Sequence, residues 1–453
     1  MTTTATAHGC PVDDSFDPLA PAFLADPYAV MSALPLTGTP VFFAPSIGYY
    51  VITSYADIEA VFRDPATYSA AVAQAPLAPL VAEAQRILLA GGHKPAPTMV
   101  SLDEPEHGRL RKPAARAFSM KRVTALVPTI EATTKRLLDQ VGDATEFDLV
   151  AALAFPLPAN IVFSLMGVPE RDFAQLKYWC GYRAALSWGR PAAEDQVEIA
   201  TTITAYRSYI RDLVDIKANE PGDDLTSDLI AIHDEDPERL TLDEISSILF
   251  SLSFAGHETT TGLIGNTVRR LLEDPARWAD IVRQPGLIPG AVEESLRYDP
   301  SVPVWRRVTT RPVTLGGVPI PAGAKLFLWL AAAGRDATAF DRPDEFDLHR
   351  AEAGRHLAFG QGLHYCLGAN LGKLEAQIAV AELARRHPGL RLVPDQKFTF
   401  HPNISFRGPQ VLAVSPISPH LIMPPVPPDS APPPQPPPET HRTLPPHDRA
   451  DPM

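Results

Sequence analysis

The residues best placed to do chemistry surround one cysteine. In Phe359-Gly360-Gln361-Gly362-Leu363-His364-Tyr365-Cys366-Leu367-Gly368, two glycines precede Cys366 and one follows it. Glycine permits turns and close backbone approach that a side chain would block. A helix is expected from about 367 to 386, so its free N–H groups and dipole would face the sulfur and favour thiolate. A buried structural cysteine at a tight turn is the alternative. It leaves the offsets of Phe359, Gly360, His364 and Gly368 unexplained. Upstream lies Ala255-Gly256-His257-Glu258-Thr259-Thr260-Thr261. Three threonines beside a glycine make a weak helix, where a hydroxyl can enter the backbone ladder. An adjoining carboxyl and hydroxyl can relay protons through water. His257 is expected to be solvated or hydrogen-bonded rather than a ligand.

Two further pairs carry charge at helical spacing. Glu294 and Arg297 share a face of a helix expected between Pro289 and Pro300, although such pairs are common on surface helices. His107 and Arg111 share a face of a helix opened by Pro105. They suit charge-assisted bonds to carboxylates, with a solvated charged face as the alternative.

Long elements must position these residues. Thr241 and Glu244 form a capping box for a helix expected from 242 to 273, with Pro275 beyond its end. At about 1.5 Å per residue it would cross a whole domain. Residues 41–53 read as a hairpin around Ser46-Ile47-Gly48, and 71–100 as a loop region without a clean period. From 103 to about 300 the pattern is mostly helical, and 300–350 returns to short strands. The expected organisation is a flexible N-terminus (1–20), one domain (21–420) and a Pro-rich linker or disordered tail (421–453).

Composition excludes several classes. A net charge of −13, from 53 acidic and 40 basic residues, argues against nucleic acid as a partner. Cys10, Cys180 and Cys366 are too scattered for a disulfide framework, a cysteine-rich metal cluster or c-type haem attachment. That usage fits a reducing cytoplasm. The start MTTTATAHGC lacks a secretory pattern, and no apolar run approaches the ~18 residues of a membrane span.

The cysteine loop matches F-G-x-G-x-H-x-C-x-G, and with A-G-x-D/E-T, E-x-x-R and D-x-P-x-H-x-x-x-R the chain resembles the cytochrome P-450 family from about residue 20 to 415. The resemblance implies a mainly α fold with a small β region, and haem b between a long distal helix and a proximal cysteine loop and helix. It implies Cys366 as the iron ligand, Phe359 beside the sulfur, and Gly360, Gly368, Ala255 and Gly256 against the cofactor. Gly256 would leave room for oxygen. Thr259 would handle oxygen and protons, and Glu258 would relay them. Haem propionates would meet His107, Arg111, His364 and Arg307, with Arg306 competing for the last place. Arg350 would complete the structural Glu294–Arg297 network. Phe254, Val302, Val304, Trp305 and Ile404 are expected around the substrate. One departure is Gly334-Arg335-Asp336-Ala337, where the family often reads Asn-Arg-Asp-Pro, which puts local stability in doubt.

The expected function is insertion of one oxygen atom of dioxygen into a small or medium hydrophobic molecule. Without a nucleotide-binding G-x-G-x-x-G after a strand, the electrons are expected from a separate ferredoxin or reductase, or from a fused domain absent from this chain. The donor would dock on Arg109, Lys112, Arg116 and Lys373. The run Gly256–Thr261 and the segment Pro402–Gly408 resemble, more narrowly, the haem domains of self-sufficient bacterial monooxygenases. A peroxide-driven or non-oxygenating haem-thiolate enzyme, or a haem sensor, are the alternatives.

Overall fold

In the computed structural model, which describes residues 4–5, 10–34, 40–90 and 98–416, one helix runs unbroken from Leu242 to Leu272. Its capping box forms: the Glu244 N–H donates to Thr241 Oγ1 at 3.2 Å and the Thr241 N–H to Glu244 Oε2 at 2.9 Å. The threonine cluster does not break the ladder. Thr259 and Thr261 instead donate their hydroxyls to the carbonyls of Ala255 (2.7 Å) and His257 (3.0 Å), one turn back. Ser251, Ala255, Thr259 and Leu263, four apart, form a stripe lining a central cavity.

The helix Ala369–Arg386 packs against this one. A Cβ added at Gly372 would stand 3.2 Å from Thr260 Oγ1, so the two backbones cross closely there. A third helix, Pro156–Leu165, packs on the long helix at Gly256, where a Cβ would meet Val162 Cγ2 at 2.9 Å. Helix packing therefore favours glycine here, at a position that also lines the cavity.

The expected hairpin is present as Val41–Ala44 paired with Tyr49–Ile52. Its second strand runs parallel to Lys325–Trp329, which pairs antiparallel with Val304–Thr309. Alternation along this last strand sends Trp305 and Arg307 to the cavity, and turns Val304 and Arg306 away from it.

Two buried ion networks hold the helix ends. Arg297 donates to both Glu294 oxygens at 2.7 and 2.8 Å and to the carbonyls of Gly334, Pro343 and Glu345. Arg350 Nε joins Glu294 at 3.2 Å, as the sequence led us to expect. In the second network Asp299 takes Arg269, Arg270 and Arg407 together. Those arginines hold its carboxyl far below the usual range despite complete burial. The Gly334–Ala337 segment is well tied: Arg335 lies 3.5 Å from the Tyr298 ring centre, and Asp336 accepts the Tyr55 N–H at 2.8 Å.

Two expectations about local order are corrected. Within 1–20, residues from Cys10 onward are packed rather than flexible. Pro11–Val12 joins the sheet edge, and Phe16 stacks edge-on against Phe23 and Phe42 in the core. Within 71–100, Ala82–Ala90 is a helix, packed on the helix Ala193–Asn219 where the local pattern showed no period. The expected Pro-rich tail, 421–453, lies outside the described residues.

Candidate functional site

The central cavity holds about 240 Å³, and most of its lining is apolar. Cys366 opens onto it from one side, at the end of a loop with positive φ at Gly360 (66°) and Gly362 (64°). A Cβ at Gly362 would meet the Phe62 carbonyl at 2.8 Å, so glycine is needed there on two counts. The Cys366 N–H closes the loop onto the Phe359 carbonyl at 2.9 Å. The sulfur receives the Gly368 and Ala369 N–H groups, and Arg111 is near. Burial nevertheless outweighs them and pushes the thiol above its ordinary value. The helix start and Arg111 favour the thiolate against that burial, and a metal at the sulfur would favour it further.

One edge of the cavity carries His107, Arg111, Arg307 and His364. Both ring nitrogens of His107 and Nε2 of His364 are buried without a hydrogen-bond partner among the described residues. The two rings lie 4.2 Å apart. Burial, then Arg307, His107 and Arg111, push His364 down to about 3. Burial likewise lowers Arg307 to about 10. Arg111 donates to the Tyr365 carbonyl at 2.5 Å. No acid is paired with Arg307 or Arg111 among the described residues, so this edge calls for an anion from outside the chain. A planar haem, with a metal for Cys366 and two carboxylates for these donors, fits that set. Arg306 loses its competition with Arg307: it is turned to Tyr49 Oη and the Ala73 and Ser187 carbonyls.

Thr259, Ala255 and Gly256 line the face supplied by the long helix. Glu258 does not line the cavity. It is buried on the next face, its Oε1 3.6 Å from His257 Nδ1, and burial pushes its carboxyl up to about 7. His257 departs from expectation, being neither solvated nor hydrogen-bonded. It is fully buried, 4.6 Å from the Phe155 ring, and held near 3 by burial and by Lys177.

Phe359, Gly360 and Gly368 line the cavity on the cysteine side, as expected. Of the five substrate residues, Phe254, Val302 and Trp305 reach it. Val304 and Ile404 are corrections, since both are buried in the core instead. Val304 faces the wrong side of its strand. At Ile404 the chain turns, because Asn403 Oδ1 accepts the N–H groups of Ser405 (3.0 Å) and Phe406 (2.7 Å), and it is Phe406 that enters the cavity. Sequence reasoning also missed Trp188 and Gln74, whose positions depend on long-range packing. It missed Glu375 too, a buried carboxyl lining the cavity from the cysteine helix, which burial pushes well above its ordinary value. The acid inside an otherwise apolar helical pattern was the available signal.

The basic patch is only partly free. Arg109 pairs with Glu244, and Lys373 with Glu293 at 2.9 Å. Lys112 and Arg116 remain exposed and without an ion pair among the described residues. No helix among the described residues is long and apolar enough to cross a membrane.

Comparison with known proteins adds family evidence. Residues 278–388 match the family model described as Cytochrome P450. Cytochrome P450 107B1 of Saccharopolyspora erythraea is 38% identical over 374 residues, covering 81% of this chain and 89% of the relative. Erythromycin C-12 hydroxylase of the same organism is 37% identical over 357 residues, covering 78% and 86% respectively. The crystal structure of an intact type IV self-sufficient cytochrome P450 monooxygenase superposes with a TM-score of 0.87 at 35% identity. That match covers 91% of this chain but 55% of the other.

Proposed function

The chain belongs to the cytochrome P450 family and is a monooxygenase, and from that premise we propose that Cys366, Thr259 and the cationic edge operate on a bound haem b to oxidise a hydrophobic organic substrate. The observation that carries this reading is one cavity with a cysteine on one side, a threonine hydroxyl on the other, and two arginines without an acid beside unpartnered histidine nitrogens along its edge. The overall change is a substrate C–H plus dioxygen, two electrons and two protons giving C–OH and water. When bound, haem supplies the iron at which dioxygen is activated. Cys366 would be its protein ligand. Arg111, Arg307, His107 and His364 would hold its propionates and neutralise them.

The Thr259 hydroxyl donates its proton to the Ala255 carbonyl, so towards the cavity it presents lone pairs. It is set to accept a hydrogen bond there, and it passes a proton on only by exchanging the one it holds. Glu258, near 7, still carries its proton in roughly half the molecules at neutral pH and can release it one residue away. Because it faces away from the cavity, a water or a side-chain rotation must join it to Thr259. The apolar lining excludes bulk water from this path.

Electrons come from a ferredoxin or flavin reductase docking on the cysteine side, where Lys112 and Arg116 are available. A cytoplasmic setting fits three cysteines without a disulfide. The haem-loaded protein should turn over a hydrophobic substrate with a reductase system, placing one labelled atom from isotopic dioxygen in the product. Turnover with hydrogen peroxide alone, and none with reductase and dioxygen, would favour the peroxide-driven alternative.

A further inference from the structure

The two ends of the cavity are built of opposite materials. The strand Val304–Thr309 spans both: Arg307 serves the cationic edge and Trp305, two residues away, the other end. Around Trp305 the rings of Trp188, Phe254 and Phe406 form a box. Trp188 and Phe254 stack at 5.8 Å and 8°. Phe406 stands edge-on to both, at 4.8 Å from Trp188 and 5.0 Å from Phe254. The box is fixed in place, because the Trp188 indole N–H is spent on the Ala73 carbonyl at 3.1 Å. Rings held in these mutual orientations offer flat faces and edges to a guest ring.

No charged side chain lines this end; the two guanidiniums buried behind it are turned to carbonyls, Arg183 to that of Phe250 and Arg306 to those of Ala73 and Ser187. The lining cations belong to the opposite edge, and the lining acid, Glu375, comes from the cysteine helix. An ionised group in the box would be buried without a counter-charge, which is costly. One lining polar group at this end is without a partner: Ser251 Oγ is buried and unpaired, whereas Gln74 Oε1 accepts from the Thr98 hydroxyl at 2.5 Å. Ser251 can serve one hydroxyl, ether or carbonyl oxygen. The long helix also supplies a ruler. Phe254 lies five residues before Thr259 and Ser251 eight, or about 7.5 and 12 Å along the axis. A molecule held in the box with its reacting carbon level with Thr259 must fit that length.

Resting on the monooxygenase reading, we propose that the substrate is a neutral, flat aromatic molecule of one or two rings, clamped by Phe254, Phe406 and Trp305. It carries at most one hydrogen-bonding substituent, directed to Ser251, and its oxidised carbon points towards Thr259.

The test is a binding titration of the haem-loaded full chain with naphthalene, 4-methylanisole, decanoate and erythromycin. Binding is read by the haem absorption shift and, independently, by tryptophan fluorescence quenching. Naphthalene and 4-methylanisole should bind at least about ten-fold more tightly than decanoate or erythromycin. Phe406→Leu should weaken naphthalene roughly five- to ten-fold and leave decanoate unchanged. Phe254→Ala should act the same way, and Trp305→Leu replaces it where that variant does not fold. Decanoate or erythromycin binding as tightly as naphthalene, or an unchanged ratio in Phe406→Leu, overturns the proposal. A protein that lacks the thiolate-type carbon monoxide band fails the monooxygenase reading. One that shows the band and fails the titration fails this inference alone.

Discussion

Two buried charge clusters in this protein differ in one respect. Around Glu294 and Asp299, each carboxylate has its arginines, and Arg297, Arg350 and Arg407 also donate to backbone carbonyls. Along the cavity edge, the Nε2 atoms of His107 and His364 are buried, yet find no hydrogen-bond partner among the described residues. Burial and charge do not separate a residue that holds the fold from one that holds a ligand. Whether its partner is already in the chain does.

The comparison predicts opposite consequences for similar substitutions. Glu294→Gln strands Arg297 and Arg350 in the core and should cost about 3–5 kcal/mol, enough to abolish most of a domain's stability. Denaturant melts of the cofactor-free protein would show it. If the variant melted like wild type, the structural half of the comparison would be wrong.

At the cavity, Thr259→Ala should leave the fold alone and cut product per electron consumed by about 10²-fold, with the electrons appearing as peroxide. An unchanged product yield would remove Thr259 from proton handling.

Arg111→Leu should not lower cofactor-free stability. It should weaken haem retention by roughly ten-fold, the worth of one charge-assisted bond, as read by transfer of haem to an apoglobin. Destabilised apoprotein with normal haem retention would put Arg111 among the structural residues instead.

A further effect concerns pH. Glu258 ionises near its ordinary 4.5 when unfolded and about 7 when folded, so the folded state binds the extra proton between these values. Stability should therefore fall as pH rises through that window, by up to about 3 kcal/mol. Glu258→Gln should flatten the dependence, and turnover in wild type should decline above about pH 7 as the proton donor is lost. A profile identical in both proteins would contradict the assigned environment.

What was legible in the sequence was what is decided locally. The capping box of Thr241 and Glu244 and the pair Glu294–Arg297 each lie within one turn, so spacing alone gives the contact. The Asp299 network escaped notice because Arg407 lies 108 residues further along the chain. Val304 and Trp305 are neighbours on a strand, and which of them faces the cavity depends on where the sheet lies, not on either residue. Phe406 was missed for Ile404 because an Asn403 turn redirects the backbone between them. Thiolate formation at Cys366 was read from the helix start, whose Gly368 and Ala369 N–H groups do reach the sulfur.

The central claim is that Cys366 binds haem iron through sulfur. Freshly purified, haem-reconstituted protein should be reduced, treated with carbon monoxide and its absorption spectrum recorded beside that of Cys366→His. The account predicts a strongly red-shifted thiolate-type band in the wild type, and its replacement by a histidine-type band in the variant. A wild type that binds no haem, or that gives the same histidine-type band as the variant, would contradict it.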